Sequence, residues 1–244
     1  MKHTVYAIAD IHGQLAMLDA ALDLVEKDGG ADARIIFLGD YVDRGPDSCG
    51  VIQRLIEGQE HGRDWIFLKG NHDDLFWNFA TQGAHDDPRI RSGLNWLHPR
   101  LGGLETLKSY GIDTEGEIST SDMAKQTEHR VPAPHLKFLE KLNLFHREPG
   151  LLFVHAGILP GRSLDQQTED DLIWIRDPFL RHAGTHPWLV VHGHTALEHP
   201  RHFGNRIDLD GGAGYGRPLH PAVFEDGKCW LLGDQGRFSL PSEL

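Results

Sequence analysis

Cysteine is one of the scarcest residues in this chain, with two examples among 244 residues. Cys49 and Cys229 lie far apart in the sequence and form no Cys-x-x-Cys pair. This spacing argues against a disulfide framework, so we predict two reduced thiols.

Long apolar runs are also missing. No stretch approaches the roughly 18 consecutive apolar residues that a bilayer-spanning helix needs. The N-terminal sequence MKHTVYAIAD enters a strand-like run at once. This leaves no room for the apolar region and cleavage site of a signal peptide. The expectation is a soluble cytoplasmic protein without a membrane partner.

Positive charge is in deficit, because 24 Lys and Arg residues face 36 Asp and Glu residues and give a formal net charge of −12. Duplex binding normally requires a basic face, so this balance argues against a nucleic-acid partner. It leaves room for a local positive pocket that binds a phosphate. Histidine, in contrast, is abundant at 17 residues. The composition gives no indication of an oligomeric state.

The distribution of apolar residues predicts an α/β protein. The length fits one large α/β domain, with or without an inserted cap, and the 39% of apolar residues can form a substantial core. Helical patterns near residues 15–25 and 51–56 separate the first three strand-length apolar runs, which predicts a mostly parallel sheet. The later runs suggest an antiparallel or mixed sheet. The predicted strands are Val5–Ala9, Ile35–Leu38, Trp65–Leu68, Leu151–Val154, Trp188–Val191, Arg206–Leu209, Ala222–Phe224 and Cys229–Leu232.

Five of these runs are followed by polar residues of types that bind metals or transfer protons. Because ligands collect at the carboxyl ends of strands in open α/β sheets, we expect these side chains to converge on one place. In chain order they are Asp10 and His12, then Asp40, Asp43 and Arg44, then Asn71 and His72, then His155, and finally His194.

The oxygen and nitrogen donors in this set suit Mn²⁺, Fe or Zn²⁺ better than Mg²⁺ or Ca²⁺. Two such ions would produce a hydroxide at neutral pH. Asp10 and His12 can point to one side of an extended chain, and the two oxygens of Asp40 could bridge two ions. With Asp10, Asp40 and one hydroxide against four positive charges, the site would stay positive and attract a phosphate. Each motif alone is weak, and the joint occurrence in this order is what indicates a site.

Residues 74–150 have a different character and are predicted to be a helical insertion lying over this site. They contain several aromatic residues, including Trp96, for which simple packing is the favoured interpretation. They also contain the pair Gly102-Gly103 and a polar stretch over 115–126, which we expect to be a mobile surface segment. The domain prediction is therefore a single domain over residues 1–244 with an inserted cap.

Together the motifs resemble the phosphoprotein phosphatase family of calcineurin-like metallophosphoesterases, in its small bacterial and phage branch. The family pattern reads GDxHG, GDxxDRG, GNHE, HG or HAG, and GHT. The corresponding stretches here are ADIHG at 9–13, GDYVDRG at 39–45, GNHD at 70–73, HAG at 155–157 and GHT at 193–195. The resemblance spans nearly the whole chain, and the insertion is least covered.

The resemblance implies a four-layer αββα fold with two divalent metal ions, of which manganese is favoured and iron or zinc are alternatives. It implies that Asp40 ligates both ions. The first ion would be held by Asp10, His12 and Asp40, and the second by Asp40, Asn71, His155 and His194.

The resemblance also implies roles beyond the metals. His72 would be the general acid, oriented by Asp43, and Arg44 would hold phosphate oxygens. A second phosphate-binding arginine is expected in a Trp-x-Arg context before GHT, and Arg176 fits that context. The alternative for Arg176 is a surface ion pair with a neighbour such as Asp177.

The implied activity is hydrolysis of phosphate monoesters, with a serine/threonine protein phosphatase favoured and a phosphoprotein or small phosphorylated molecule as substrate. The alternative is a symmetrical dinucleoside tetraphosphate hydrolase, because Asp73 replaces the Glu of GNHE, as in those enzymes. A non-catalytic scaffold is disfavoured because the ligand set is complete. Two further residues stay open. Tyr215 either packs its glycine-rich loop or approaches the substrate, and His192 is expected to be an ordinary strand residue.

Overall fold

The computed structural model describes residues 4–90, 93–116 and 118–241. The first part of the chain alternates strands and helices, as the apolar pattern predicts. Strands β1, β2 and β3 pair in parallel, with Tyr6 opposite Ile35 and Ile36 opposite Ile66. The elements are β1 (Val5–Ile8), α1 (Leu15–Gly29), β2 (Arg34–Phe37), α2 (Ser48–Glu60), β3 (Trp65–Phe67) and α3 (Asn71–Gln82).

The region over 74–150 continues with three helices. They are α4 (Gly103–Ser109), α5 (Thr120–Arg130) and α6 (Ala133–Glu140). Helix α4 packs on α2, α5 packs on α3, and α6 packs on both. Within the stretch 115–126, which we expected to be a mobile surface segment, residues from Thr120 onward belong to helix α5, and residue 117 lies outside the described residues. The Ser119 hydroxyl caps the first turn of α5 by accepting a hydrogen bond from the Asp122 amide. Met123 and Thr127 are the buried residues of this helix.

The rest of the chain adds short strands and one short helix. They are β4 (Phe145–Glu148), β5 (Leu151–Val154), α7 (Glu169–Ile173), β6 (Leu189–His192), β7 (Arg201–His202), β8 (Arg206–Asp208), β9 (Ala222–Glu225), β10 (Lys228–Gly233) and β11 (Gly236–Ser239). Each predicted strand is present. His192 is a buried strand residue, as expected. Strands β4, β7 and β11 were not predicted, because β4 and β11 are largely exposed strands at sheet edges without an apolar run, and β7 has two residues.

The strands form two mixed sheets. One sheet has the order β11-β10-β9-β1-β2-β3 and the other β4-β5-β6-β8-β7. Alternate residues of β1 point to opposite faces of the first sheet and pack into two different hydrophobic cores. Val5 and Ala7 face the second sheet, whereas Tyr6 and Ile8 pack under the helices. Because both faces of the central strands are buried, those strands read as continuous apolar runs.

The outer face of the second sheet has its own smaller core. Leu152 and Val154 of β5 pack there against Leu172 and Ile173 of α7. The layers are therefore helices, sheet, sheet and a thin helical layer, which confirms the four-layer αββα prediction. No helix in the described ranges is both long and apolar enough to cross a membrane.

Candidate active site

The backbone is strained where the predicted site residues lie. Seven non-glycine residues in the described part of the chain have positive φ angles, and six of them belong to the predicted site. Such conformations are costly for residues with a β-carbon and persist where the surrounding structure enforces them. The six are Asp10 (44°), His12 (48°), Asp40 (54°), Asp43 (73°), Arg44 (68°) and His194 (66°).

Two of the histidines are oriented by backbone carbonyls. Nδ1 of His12 donates to the Val42 carbonyl and Nδ1 of His155 donates to the Leu38 carbonyl, each at 2.8 Å. Burial lowers the pKa of both rings, so each is neutral. Each Nε2 therefore carries a lone pair and no proton, which is the state required of a metal ligand.

Asn71 gathers the donors on one side of the site. Its Oδ1 lies 3.0 Å from His155 Nε2 and 2.8 Å from His194 Nδ1. Since His155 Nε2 has only a lone pair, it faces the amide oxygen as acceptor against acceptor. A cation shared by these atoms would remove that repulsion. Asp40 Oδ1 is 3.4 Å from the same His155 nitrogen.

Asp40 connects this side of the site to the other. Its Oδ2 lies 3.6 Å from His12 Nε2. Asp10 is buried next to them, and its Oδ1 accepts from the His194 amide at 2.9 Å. The other oxygen of Asp10 has no hydrogen-bond partner among the residues that the structure describes. The structure thus brings together all six residues predicted as metal ligands.

Several buried carboxylates surround Asp10, and among the described residues Arg206 is the only arginine or lysine that is buried. Burial, followed by repulsion from Asp210 and Asp40, raises the pKa of Asp10. Burial, followed by repulsion from Asp210, also raises the pKa of Asp208. Buried carboxylates that repel one another destabilise the folded protein unless cations compensate their charge. This charge balance and the donor set fit divalent metal ions.

His72 and Asp43 form a buried pair beside these donors. His72 Nδ1 lies 2.6 Å from Asp43 Oδ2, and His72 Nε2 accepts from Arg44 Nη2 at 3.1 Å. Burial lowers the pKa of His72 to about 3 and raises that of Asp43 to about 7. The imidazole of the free protein is therefore neutral at neutral pH.

The two predicted phosphate-binding arginines line one cavity of about 260 Å³. Arg176 donates to Thr195 Oγ1 at 3.0 Å and to the His194 carbonyl at 3.3 Å. Asp177, the alternative partner, pairs instead with Arg181 at 3.2 Å. The cavity is lined by Asp40, Arg44, Asn71, His72, Arg89, Ile90, Leu101, Trp174, Arg176 and His194.

Comparison with known proteins assigns the family. Residues 3–216 match the family described as calcineurin-like phosphoesterase. The chain belongs to this family. Its members depend on dinuclear metal centres. Two overlapping groups of possible ligand atoms lie close together here, His12, Asp40 and His72 in one and Asp40, His155 and His194 in the other. The first group contains His72 where the sequence resemblance implies Asp10.

Curated relatives of this calcineurin-like phosphoesterase carry nucleotide-related names. One is the asymmetrical bis(5'-nucleosyl)-tetraphosphatase PrpE of Oceanobacillus iheyensis, 24% identical over 87% of this chain and 85% of the relative. Another is the symmetrical bis(5'-nucleosyl)-tetraphosphatase of Nitrosomonas europaea, 29% identical over 66% of this chain and 47% of the relative.

Solved structures confirm the fold. A protein provisionally named a diadenosine tetraphosphatase aligns with a TM-score of 0.62 at 24% identity, covering 93% of this chain and 92% of that one. The cold-active protein-tyrosine phosphatase of a Shewanella species aligns with a TM-score of 0.61 at 17% identity, covering 97% and 80%. At these identities the likeness establishes the metallophosphoesterase architecture alone.

Two residues of this phosphoesterase that hold Asp43 were missed as site residues. Thr106 Oγ1 donates to Asp43 Oδ1 at 2.7 Å, and Trp96 Nε1 donates to Asp43 Oδ2 at 2.8 Å. Trp96 does pack against aromatic neighbours, as expected, but it also makes this polar contact. No local pattern in the sequence signalled these two contacts, although Gly103 leaves room for the Trp96 ring. A β-carbon at Gly103 would fall 2.5 Å from the Trp96 ring.

Asp73, which departs from the family's GNHE pattern, does not line the cavity. It is buried, and its carboxylate accepts from the backbone amides of Asp40, Tyr41 and Gly70 at 2.8–2.9 Å. Asp73 therefore holds the segments that follow β2 and β3 in register. Its presence supplies no direct contact to a substrate.

Proposed function

We propose that this calcineurin-like phosphoesterase hydrolyses dinucleoside tetraphosphates or closely related nucleoside polyphosphates. The observation that carries the proposal is the cavity in which Arg44 and Arg176 face Asp40, Asn71 and His194. Guanidinium groups bind phosphate oxygens in bidentate geometry, so two of them suit a substrate with several phosphates. The names of the curated relatives support a nucleotide substrate.

We assign the metal ligands as the sequence resemblance implies. One ion would be held by Asp10, His12 and Asp40, and the other by Asp40, Asn71, His155 and His194. When bound, two divalent ions supply a water-derived nucleophile and neutralise charge on the phosphate. Manganese is the proposed metal, with iron and zinc as alternatives, because the set mixes oxygen and imidazole nitrogen.

The side chains around the metal ligands divide the remaining tasks. Arg44 and Arg176 orient the phosphate by charge-assisted hydrogen bonds. His72 is the proposed general acid. Its neutral ring would first take up a proton at Nε2, the atom that Arg44 contacts, once a bound phosphate draws Arg44 to itself, and would then pass that proton to the departing oxygen. Asp43 holds the ring by its bond to Nδ1.

We further propose that the chain is one domain whose segment 74–150 contributes a wall of the site. Arg89, Ile90 and Leu101 from this segment line the cavity. Its helices pack on α2 and α3, and these three residues are the part of the segment that would border the substrate.

A serine/threonine protein phosphatase was the favoured activity from the sequence motifs. Those motifs specify metal and phosphate chemistry, which both activities share, and the curated relatives shift the preference to nucleotides. The discriminating experiment compares kcat/KM for diadenosine tetraphosphate, a phosphoserine peptide and p-nitrophenyl phosphate, with Mn²⁺ present. Preference for diadenosine tetraphosphate is expected. A higher kcat/KM for the phosphopeptide would overturn the proposal, and an Asp10→Asn variant controls for contaminating hydrolases.

A further inference from the structure

Tyr215 is displayed to solvent at the edge of the candidate active site. Its side chain is 59% exposed, more than any other large apolar side chain in the described ranges, where Phe238 reaches 41% and Phe145 38%. A single exposed aromatic residue is ordinary on a protein surface. The position of this one is what distinguishes it.

The turn that carries Tyr215 lies directly against the site. A β-carbon at Gly214 would fall 2.7 Å from the His12 ring and 3.1 Å from Arg44 Cδ. Glycine is required there because the backbone itself contacts a proposed metal ligand and a proposed phosphate-binding residue. Tyr215 therefore projects from a point next to both.

Hydrogen bonds order the backbone of the turn that carries Tyr215. Asp210 Oδ1 accepts from the Gly212 amide at 2.9 Å. The Tyr215 amide donates to the Gly212 carbonyl at 2.9 Å, and the Gly216 amide donates to the Ala213 carbonyl at the same distance. These bonds define a short 3-10 turn over Ala213–Tyr215. The ring therefore extends from an ordered turn, and most of its surface remains exposed.

The guanidinium groups of two arginines lie over the ring, which still leaves 59% of the side chain exposed. The guanidinium carbon of Arg44 is 5.1 Å from the ring centroid of Tyr215, and that of Arg217 is 5.6 Å from it. Arg44 is also the residue that contacts His12 and His72. An anionic group bound to Arg44 and an aromatic group stacked on Tyr215 would be adjacent parts of one ligand.

We propose that Tyr215 is a nucleobase-stacking residue, which receives the base of the nucleotide whose phosphate contacts Arg44. The inference rests on the proposed nucleotide specificity and names the residue that would provide it. Stacking on an aromatic ring accepts every base, because each base has a π face. Recognition at this position is accordingly aromatic and independent of base identity, and it separates nucleotides from phosphoserine and phosphothreonine.

The test measures binding, separately from turnover. Titration calorimetry of the Mn²⁺-loaded protein would compare the non-hydrolysable phosphonate analogues of AMP and of ribose 5-phosphate, which differ by the base. The wild-type protein should bind the base-bearing analogue roughly ten-fold more tightly. Tyr215→Leu should abolish that preference while leaving the affinity for ribose phosphonate unchanged, and Tyr215→Phe should keep it. Phe238→Leu, which alters another exposed aromatic residue, is the matched control.

Retention of the base preference in Tyr215→Leu would overturn the inference, as would equal weakening of both analogues. Wild-type turnover of diadenosine tetraphosphate, measured on the same preparation, reports on the proposed function independently. Turnover together with an unchanged preference in Tyr215→Leu would refute the role of Tyr215 alone. Absence of turnover would refute the proposed substrate, whatever the variant shows.

Discussion

His72 differs from the other site histidines in the groups that its ring nitrogens contact. His12 and His155 donate Nδ1 protons to backbone carbonyls. His72 instead contacts the side chains of Asp43 and Arg44 through its two nitrogens. An imidazole between a carboxylate and a phosphate-binding arginine is placed to pass a proton to a departing oxygen, with its ring orientation fixed.

We predict that His72→Asn harms substrates according to their leaving groups. Asparagine keeps some hydrogen bonding but cannot deliver a proton, a step worth about 10²–10⁴-fold. A serine alkoxide needs that proton, whereas p-nitrophenolate departs without it. Hydrolysis of a phosphoserine peptide should therefore fall far more than hydrolysis of p-nitrophenyl phosphate, with metal content retained. Equal losses on the two substrates would remove the general-acid role.

Arg176 is predicted to act on the phosphate and not on the metals. Its guanidinium reaches Thr195 and the His194 carbonyl, and it lines the cavity. Arg176→Ala should lower kcat/KM and weaken inhibition by inorganic phosphate, since a lost charge-assisted contact costs about 1.5–3 kcal/mol. Arg181→Ala, which removes an exposed arginine paired with Asp177, is the control. An unchanged phosphate inhibition constant would exclude Arg176 from the site.

At the scale of elements, the turn after β2 and the start of α4 hold each other in place. The Arg44 amide donates to the Gly102 carbonyl at 3.2 Å, and the Asp43 amide donates to Thr106 at 2.8 Å. Both Asp43 and Arg44 have positive φ angles. The insertion thus supplies the contacts that enforce this strained turn.

Gly102→Ala tests this dependence. Gly102 has a φ of 88°, and a β-carbon there would lie 2.3 Å from the Arg44 amide nitrogen. We expect a loss of unfolding free energy of at least about 1 kcal/mol together with a lower affinity for inorganic phosphate. Gly62→Ala has a similar φ of 73° with nothing within 4 Å, so it controls for backbone strain alone. Thermal denaturation and phosphate inhibition are measured for both variants. Equal losses of stability and of phosphate affinity in the two variants would contradict the dependence of the Asp43–Arg44 turn on α4.

At the scale of the whole molecule, the two sheets meet at a centre that contains more negative than positive charge. Asp10, Asp40, Asp208 and Asp210 are all buried there. The carboxyl ends of strands from both sheets contribute to it, so cations bound at this place would join the two halves of the molecule. Stability should therefore depend on metal.

Removal of metal is predicted to lower Tm. A ligand at about 100 times its Kd stabilises the folded state by about 2.7 kcal/mol. For a chain of this size that corresponds to roughly 5–10 °C. Chelation followed by scanning calorimetry should show this drop, and added Mn²⁺ should reverse it. Asp40→Asn should lose most of the metal-dependent shift, whereas Glu128→Gln on the exposed face of α5 should retain it. A full shift in Asp40→Asn would rule out the bridging assignment.

The sequence by itself determined the strand ends that carry the site. A short apolar run ends at or just before each of Asp10, Asp40, Asn71, His155 and His194. Such runs and the turn residues after them can be recognised from neighbouring residues alone. Because parallel strands place their carboxyl ends at one edge, local signals sufficed to predict that these side chains meet. The same signals located helices α1 and α2, which cover one face of the first sheet.

Only the tertiary structure decided how those side chains are held and what surrounds them. Trp96 and Thr106 reach Asp43 across 53 and 63 residues of chain. Such contacts depend on how α4 packs against α2, which no local pattern encodes. The same holds for Asp73, whose carboxylate turned out to hold backbone amides, and for Tyr215, whose exposure beside Arg44 follows from a turn pressed onto the site. Local periodicity fixes which residues end a strand, whereas the packing of distant segments fixes which groups they contact.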